Sequence, residues 1–185
     1  MNQSKAQGYL QSIYLNSRDA IQKEFNITNV QAIPVIDKVV VSMRLGRDAS
    51  DKKAVAAAFE ELAKITGQKA AVSYAKKSIA GFKLREGQVS GAYCTLRREQ
   101  AFYFLERLFF LALPRVRDFR GFRSKSLDNQ FNLNFGIKDH LIFEELDYDS
   151  VYRARGLDVS IRVKNSTSAD MTIKLLRLLS CPVRK

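Results

Sequence analysis

The sequence predicts an α+β domain: a largely antiparallel sheet with helices packed on one face and a long basic hairpin loop. Three observations carry this. Strand-like and helix-like segments do not alternate regularly, which argues against a parallel doubly wound sheet. Two short strand-like segments flank a basic, glycine-punctuated stretch, as in a hairpin. Of 185 residues, 46% are apolar, enough to bury a core. There is no internal repeat, low-complexity tract or Gly/Ser linker. The chain therefore reads as one domain, residues 1–185, with 1–28 as helix and connector and 29–185 as core.

The elements follow in order. Tyr9, Ile13, Ile21 and Phe25 lie at helical spacing and predict a helix over 4–25. Pro34 ends the connector, and VIDKVVVSMRL (35–45), rich in β-branched residues, reads as a strand. Asp48 or Ser50 caps an alanine-rich helix that Gly67 closes. KAAVSYA and SGAYCTLR are the two hairpin strands. In REQAFYFLERLFFLAL (98–113), Phe102, Leu105, Leu108, Phe109 and Ala112 share a helical face, and Pro114 is expected to stop the helix. FNLNFGI and LDVSIRV read as strands. SADMTIKLLRLLS is the last helix, with Ser168 as its cap and Pro182 just past its end.

Charge narrows the partners. Thirty-one Lys and Arg face nineteen Asp and Glu, for a net charge of +12 and a pI near 9.9. That excess favours a polyanion. Two distant cysteines, Cys94 and Cys181, form neither a disulfide framework nor a metal pair, and fit a reducing compartment. No apolar run reaches the ~20 residues of a membrane span. The first residues carry no signal-peptide core, so either the protein is made where it works or a leader has been removed.

Enzyme chemistry finds little footing. The single histidine, His140, has no Ser or Cys partner nearby in sequence and reads as structural. FEELDYD (143–149) gathers Glu144, Glu145, Asp147 and Asp149 but lacks the glycine of a calcium loop, and reads as a solvated acidic turn. No phosphate-binding glycine motif is present. No catalytic residue, metal or cofactor is expected.

Two basic segments stand out. SYAKKSIAGFKLREG (73–87) carries Lys76, Lys77, Lys83 and Arg85 against Glu86, with Gly81 and Phe82 at its centre. PRVRDFRGFRSK (114–125) carries Arg115, Arg117, Arg120, Arg123 and Lys125 against Asp118, with Phe119 and Phe122 between them. Arginine donates paired hydrogen bonds to phosphate, and interleaved aromatics can stack on unpaired bases. For the second segment a solvated charge run with its phenylalanines turned inward is the alternative. Two such segments together favour RNA or DNA. A membrane reading would place the cations on an amphipathic helix instead.

The blocks TGQKAAVSYAKKSIAGFKLREG, CTLR and FLERLFFLALPRVRDFRGF resemble the bacterial-type ribosomal protein five of the large subunit, the universal 5S RNA-binding protein. SLDNQFNLNFGIKDHLIFEELDYD, RGLDVSI and the terminal CPVRK continue the resemblance, which covers roughly residues 30–185. It implies a structural, non-catalytic constituent of the large subunit, anchoring 5S RNA in the central protuberance beside large-subunit RNA and neighbouring proteins. It further implies that the hairpin tip, residues 75–87, reaches peptidyl-site transfer RNA and that another surface meets a small-subunit head protein. On this basis Lys76, Lys77, Ser78, Lys83 and Arg85 face RNA phosphate and sugar, Gly81 permits close backbone approach, and Phe82 packs or stacks at the contact. Gln68, Thr95, Ser42 and Arg44 fall at positions of the 5S RNA surface.

Several positions depart from the family. Its Asn-Met-Gly-x-Gly is Ser42, Met43, Arg44, Leu45, Gly46; its Gly after TLR is Arg98. Its DGxGN is Asp128, Asn129, Gln130, Phe131, Asn132, and its FPEI is FEEL. Such departures favour an organelle ribosome, in the mitochondrial matrix ahead of a bacterial cytoplasm or plastid. Two rival readings are a free RNA-binding regulator or chaperone on the same scaffold, and a metal-dependent enzyme using Glu144, Glu145, Asp147 and His140.

Overall fold

The strands alternate buried and outward residues, and that alternation organises the fold. In the computed structural model, which describes residues 8–82, 84–148 and 151–184 (the side chains of Arg47 and Ser124 aside), five strands form one antiparallel sheet in the order β2-β3-β1-β5-β4. They are β1 (Val35–Arg44), β2 (Ala71–Tyr74), β3 (Val89–Arg97), β4 (Leu133–Ile137) and β5 (Leu157–Lys164). β1 buries Val39, Val41 and Met43; β3 buries Ala92, Cys94 and Leu96; β5 buries Leu157, Val159, Ile161 and Val163. Every second side chain therefore points to the opposite, solvated face. The result is the α+β architecture that the irregular order of elements predicts.

The chain gathers into two compact units. The first comprises residues 1–39, 97–135 and 160–185. Its helices are α1 (Tyr9–Glu24), α3 (Arg98–Arg107), a one-turn α4 (Leu113–Arg115) and α5 (Ala169–Leu178). α1 buries Leu10, Tyr14 and Ile21. Ile21 is buried as expected, but in the first turns the stripe lies one residue along: Tyr9 is 60% exposed, and Tyr14 instead donates its hydroxyl to the Pro34 carbonyl at 3.2 Å. Burial raises the Tyr14 pKa, with the nearby Arg18 charge opposing the shift. Ser168 caps α5 as expected, accepting from the Met171 N–H at 3.3 Å.

Pro114 does not stop the third helix where expected. The helix continues through a π-turn, Leu108–Ala112, into α4, and the chain leaves it after Arg115. Proline's ring clashes with the carbonyl four residues back in an α-helix. Widening the turn, so that the Leu113 N–H reaches the Leu108 carbonyl, lets the helix run on past that obstacle. The face expected from spacing is buried in full: Phe102, Leu105, Leu108, Phe109 and Ala112.

The second unit comprises residues 40–96 and 136–159. Its helix α2 (Lys52–Thr66) is capped by Asp51, which accepts from the Lys53 N–H at 2.9 Å, and not by Asp48 or Ser50. Those two lie in a preceding 3-10 turn, Gly46–Ser50. Gly67 closes α2 in the left-handed region at φ +69, where glycine carries no Cβ penalty. β2 and β3 pair antiparallel, forming the hairpin from which the basic stretch projects.

His140 is structural, as its isolation in sequence suggests. It is fully buried, and its Nδ1 accepts from the Arg155 backbone N–H at 3.1 Å. Its proton therefore sits on Nε2, 3.2 Å from Glu61 Oε2. Arg155 Nη1 donates to the same Glu61 oxygen at 3.1 Å, and the Tyr152 N–H donates to Oε1 at 3.3 Å. This buried ionic knot fastens the segment around residues 140–155 to α2.

Candidate nucleic-acid interface

The finger between β2 and β3 closes on itself by hydrogen bonds, not by packing. The Ala75 N–H donates to the Gln88 carbonyl at 2.9 Å, and the Gly87 N–H to the Ala75 carbonyl at 3.0 Å. Further out, Ile79 and Leu84 exchange both backbone bonds, at 2.9 and 3.2 Å. Gly87, at φ +77, makes the return turn. This scaffold leaves the side chains outside: Lys76, Lys77, Ser78, Ile79, Phe82 and Arg85 are all exposed, Phe82 by 80%. Among the described residues no ion pair engages Lys76, Lys77 or Arg85. Lys83 lies outside the described residues. A large aromatic ring held in water beside unpaired cations suits stacking and phosphate contact together.

Gly81 has an ordinary backbone conformation and open space around it, so nothing within the chain itself requires glycine there. At the base of the finger, Ala49, Ser50, Arg85, Glu86, Gly87 and Gln88 line a cavity of about 510 Å³.

The strands of the same unit present a second surface. Met43 and Cys94 point inward, so Ser42 and Arg44 on β1, and Tyr93 and Thr95 on β3, point outward. The Leu45 N–H donates to the Ser90 carbonyl at 3.1 Å, joining the two strands. The Cys94 thiol donates to the Gln68 carbonyl at 3.8 Å, bringing Gln68 to β3 one residue from Thr95. Arg44 lies 3.6 Å from Asp158, but its side chain is 86% exposed. So open an ion pair contributes little and yields readily to a phosphate. The four residues that the resemblance assigns to the 5S RNA surface thus come together on or beside adjoining strands.

The arginine segment belongs to the first unit, where the phenylalanines turn inward. Phe122 is 6% exposed, its ring centroid 4.3 Å from that of Phe135 and 5.2 Å from that of Phe119. Its backbone pairs with the C-terminal segment: the Phe122 N–H donates to the Pro182 carbonyl, and the Arg184 N–H to the Phe122 carbonyl, both at 2.8 Å. Phe122 is therefore core and unavailable for base stacking. Arg115, Arg117, Arg120 and Arg123 stay exposed, on a backbone fixed by that anchor.

Two cations escaped the sequence reading. Arg97 and Arg162 are exposed and share Asp37, at 3.6 and 3.8 Å. The signal was available in the alternation of β3, where Ala92, Cys94 and Leu96 turn inward and Arg97 must turn out.

The acidic turn holds no metal constellation: among the described residues no group of three His, Cys, Asp or Glu side chains is placed to bind an ion. Asp149 lies outside the described residues. No helix among the described residues is long and apolar enough to cross a membrane.

Comparison with known proteins identifies the family. Residues 29–85 match the family described as ribosomal protein L5, and residues 89–183 match the C-terminus of that same ribosomal family. The chain is 48% identical over 165 residues to the large ribosomal subunit protein uL5 of Magnetococcus marinus, spanning 89% of each chain. That relative is bacterial, so the similarity points to a bacterial-type ribosome without choosing between a bacterium and an organelle.

Proposed function

The chain belongs to the ribosomal protein L5 family, structural and non-enzymatic constituents of the large ribosomal subunit, and from that premise we propose that it anchors 5S RNA and extends its 75–87 finger to peptidyl-site transfer RNA. The single observation that carries this reading is the finger itself: exposed Lys76, Lys77 and Arg85, unpaired among the described residues, around a solvated Phe82. A protein core has no use for such a segment, and exposing Phe82 costs free energy that a docked partner would recover. The outward strand residues Ser42, Arg44 and Thr95, with Gln68, form the 5S RNA surface. Polar side chains there set register, while Arg44 supplies phosphate affinity. Arg115, Arg117, Arg120 and Arg123 contact large-subunit RNA. Neighbouring large-subunit proteins, and a head protein of the small subunit, complete the setting.

The test is a salt titration. Replacing Lys76, Lys77 and Arg85 together by Ala is expected to flatten the slope of log affinity against log salt by about 2, from ~0.7 per phosphate contact on unpaired RNA. Folding stability should be unchanged, since those side chains are exposed and support no core. A variant that unfolds would make the finger a structural element and refute its assignment to RNA.

A further inference from the structure

We infer that Ser78 and Gln88 are positioning residues that hold the finger in its binding shape before RNA arrives, and do not themselves touch RNA. This deepens the proposed function and rests on it.

Ser78 belongs to the set that the resemblance turns toward RNA, yet its hydroxyl oxygen already accepts a bond within the finger. It accepts from the Glu86 N–H at 2.9 Å, clipping the outgoing limb of the finger to the returning one across eight residues. Gln88 acts at the base with both ends of its amide. Its Oε1 accepts from the Arg85 N–H at 3.1 Å, and its Nε2 donates to Ser50 Oγ at 3.4 Å. One side chain thus ties the return limb to the 3-10 turn that precedes α2. These contacts bracket Arg85 and Glu86: the Arg85 N–H is held by Gln88 and the Glu86 N–H by Ser78.

The finger needs such clips because it has no core. From Lys76 to Gly87, every described residue but Leu84 is exposed. Ordering a backbone residue costs about 1–2 kcal/mol, and here no buried apolar surface offsets it. Without the clips, binding would have to order the limbs at the moment of contact and lose affinity accordingly. With them, Lys76, Lys77 and Arg85 already point outward from a fixed frame.

The experiment uses the free chain for amide exchange, and large subunits reassembled with each variant for binding deacylated transfer RNA across a salt series. Losing one exposed hydrogen bond is expected to change an equilibrium about fivefold. For Ser78→Ala, Glu86 amide exchange should therefore quicken about fivefold. Transfer RNA affinity should fall by a similar factor, with an unchanged salt slope. Ser78→Thr, which keeps the hydroxyl, should restore both. Gln88→Met, near-isosteric and uncharged but without the amide donor and acceptor, should free the finger base from Ser50 and the Arg85 N–H and weaken binding in the same slope-neutral way. The inference is overturned if Ser78→Ala quickens exchange but leaves affinity intact. It is also overturned if Ser78→Thr restores amide protection without restoring affinity, since the added methyl would then be meeting RNA at a side chain held not to touch it. Failure of the underlying reading looks different: Lys76→Ala and Lys77→Ala would alter neither affinity nor slope.

Discussion

Replacing Arg98 by Gly should stabilise this protein. Arg98 opens α3 with φ +52, a left-handed conformation that glycine adopts without strain. A side chain in the left-handed region crowds its Cβ against the neighbouring carbonyl, at about 1–2 kcal/mol. Glycine removes that strain but loses more backbone freedom on folding, about 0.5–1 kcal/mol. The conformational gain is then roughly 0.5–1 kcal/mol. Arg98 also sets a cation at the positive end of a helix, and removing it adds about 0.3 kcal/mol at so exposed a position. Arg98→Gly should gain about 1 kcal/mol in all. In a chain of 185 residues that lifts Tm by roughly 3 °C. Arg98→Ala separates the two causes: it removes the charge, keeps the Cβ, and should gain about 1 °C at most. Thermal denaturation followed by circular dichroism reads all three proteins. If Arg98→Ala matched or exceeded Arg98→Gly, the strain would not reside in the backbone at this position and the reasoning would be refuted.

Other expectations follow from close contacts and buried charge. Gly91→Ala would place a Cβ 2.5 Å from the Met43 carbonyl oxygen, so it should cost about 2 kcal/mol or ~6 °C; an unchanged Tm would mean that β1 and β3 can part freely. Glu61→Ala leaves His140 and Arg155 buried without their shared partner and should cost about 3–5 kcal/mol, measurable by urea denaturation. A loss under about 1 kcal/mol would show that water enters the knot. Asp128 is partly desolvated, which alone would raise its pKa. Hydrogen bonds from the Asn132 side chain and backbone, the Gln130 backbone and the Asn134 side chain outweigh this and lower it. Its stabilising effect is therefore present above the ordinary carboxylate range and lost as pH falls through the depressed folded value. Asp128→Ala should lower Tm at about pH 7 by an amount worth about 1 kcal/mol, and the gap to the parent should close toward about pH 2. A gap that stayed constant with pH would rule out the carboxylate as its source.

Local chemistry made much of the fold legible. β-branched runs marked β1 and β5, and Gly67 and Ser168 marked helix ends, because each acts through its immediate neighbours. The first turns of α1 differ from the expectation for the opposite reason: Tyr9 and Tyr14 are both amphipathic, and only tertiary packing decides which ring is buried. The π-turn was hidden because Leu108–Ala112 is as apolar as any buried α-helix, and the effect of Pro114 on the preceding turn depends on packing. The knot of Glu61, His140 and Arg155 joins residues 79 and 94 positions apart, beyond the reach of any local pattern. In the candidate interface, composition revealed the finger but not its clips. It revealed the arginines of 115–123 but could not tell that Phe122 packs on Phe135. Arg98 and Phe131 both hold positive φ, which neither residue type signals in sequence.

The claim at the centre of this account is specific binding of 5S RNA by the chain. It is tested most directly by titrating the protein against 5S RNA and a length-matched control RNA, by gel shift, at low and moderate salt. The account predicts a preference for 5S RNA that survives moderate salt, because outward polar groups such as Ser42, Gln68 and Thr95 contribute register that counterions do not screen. Equal affinity for both RNAs, lost together as salt rises, would contradict it and leave only a polycation.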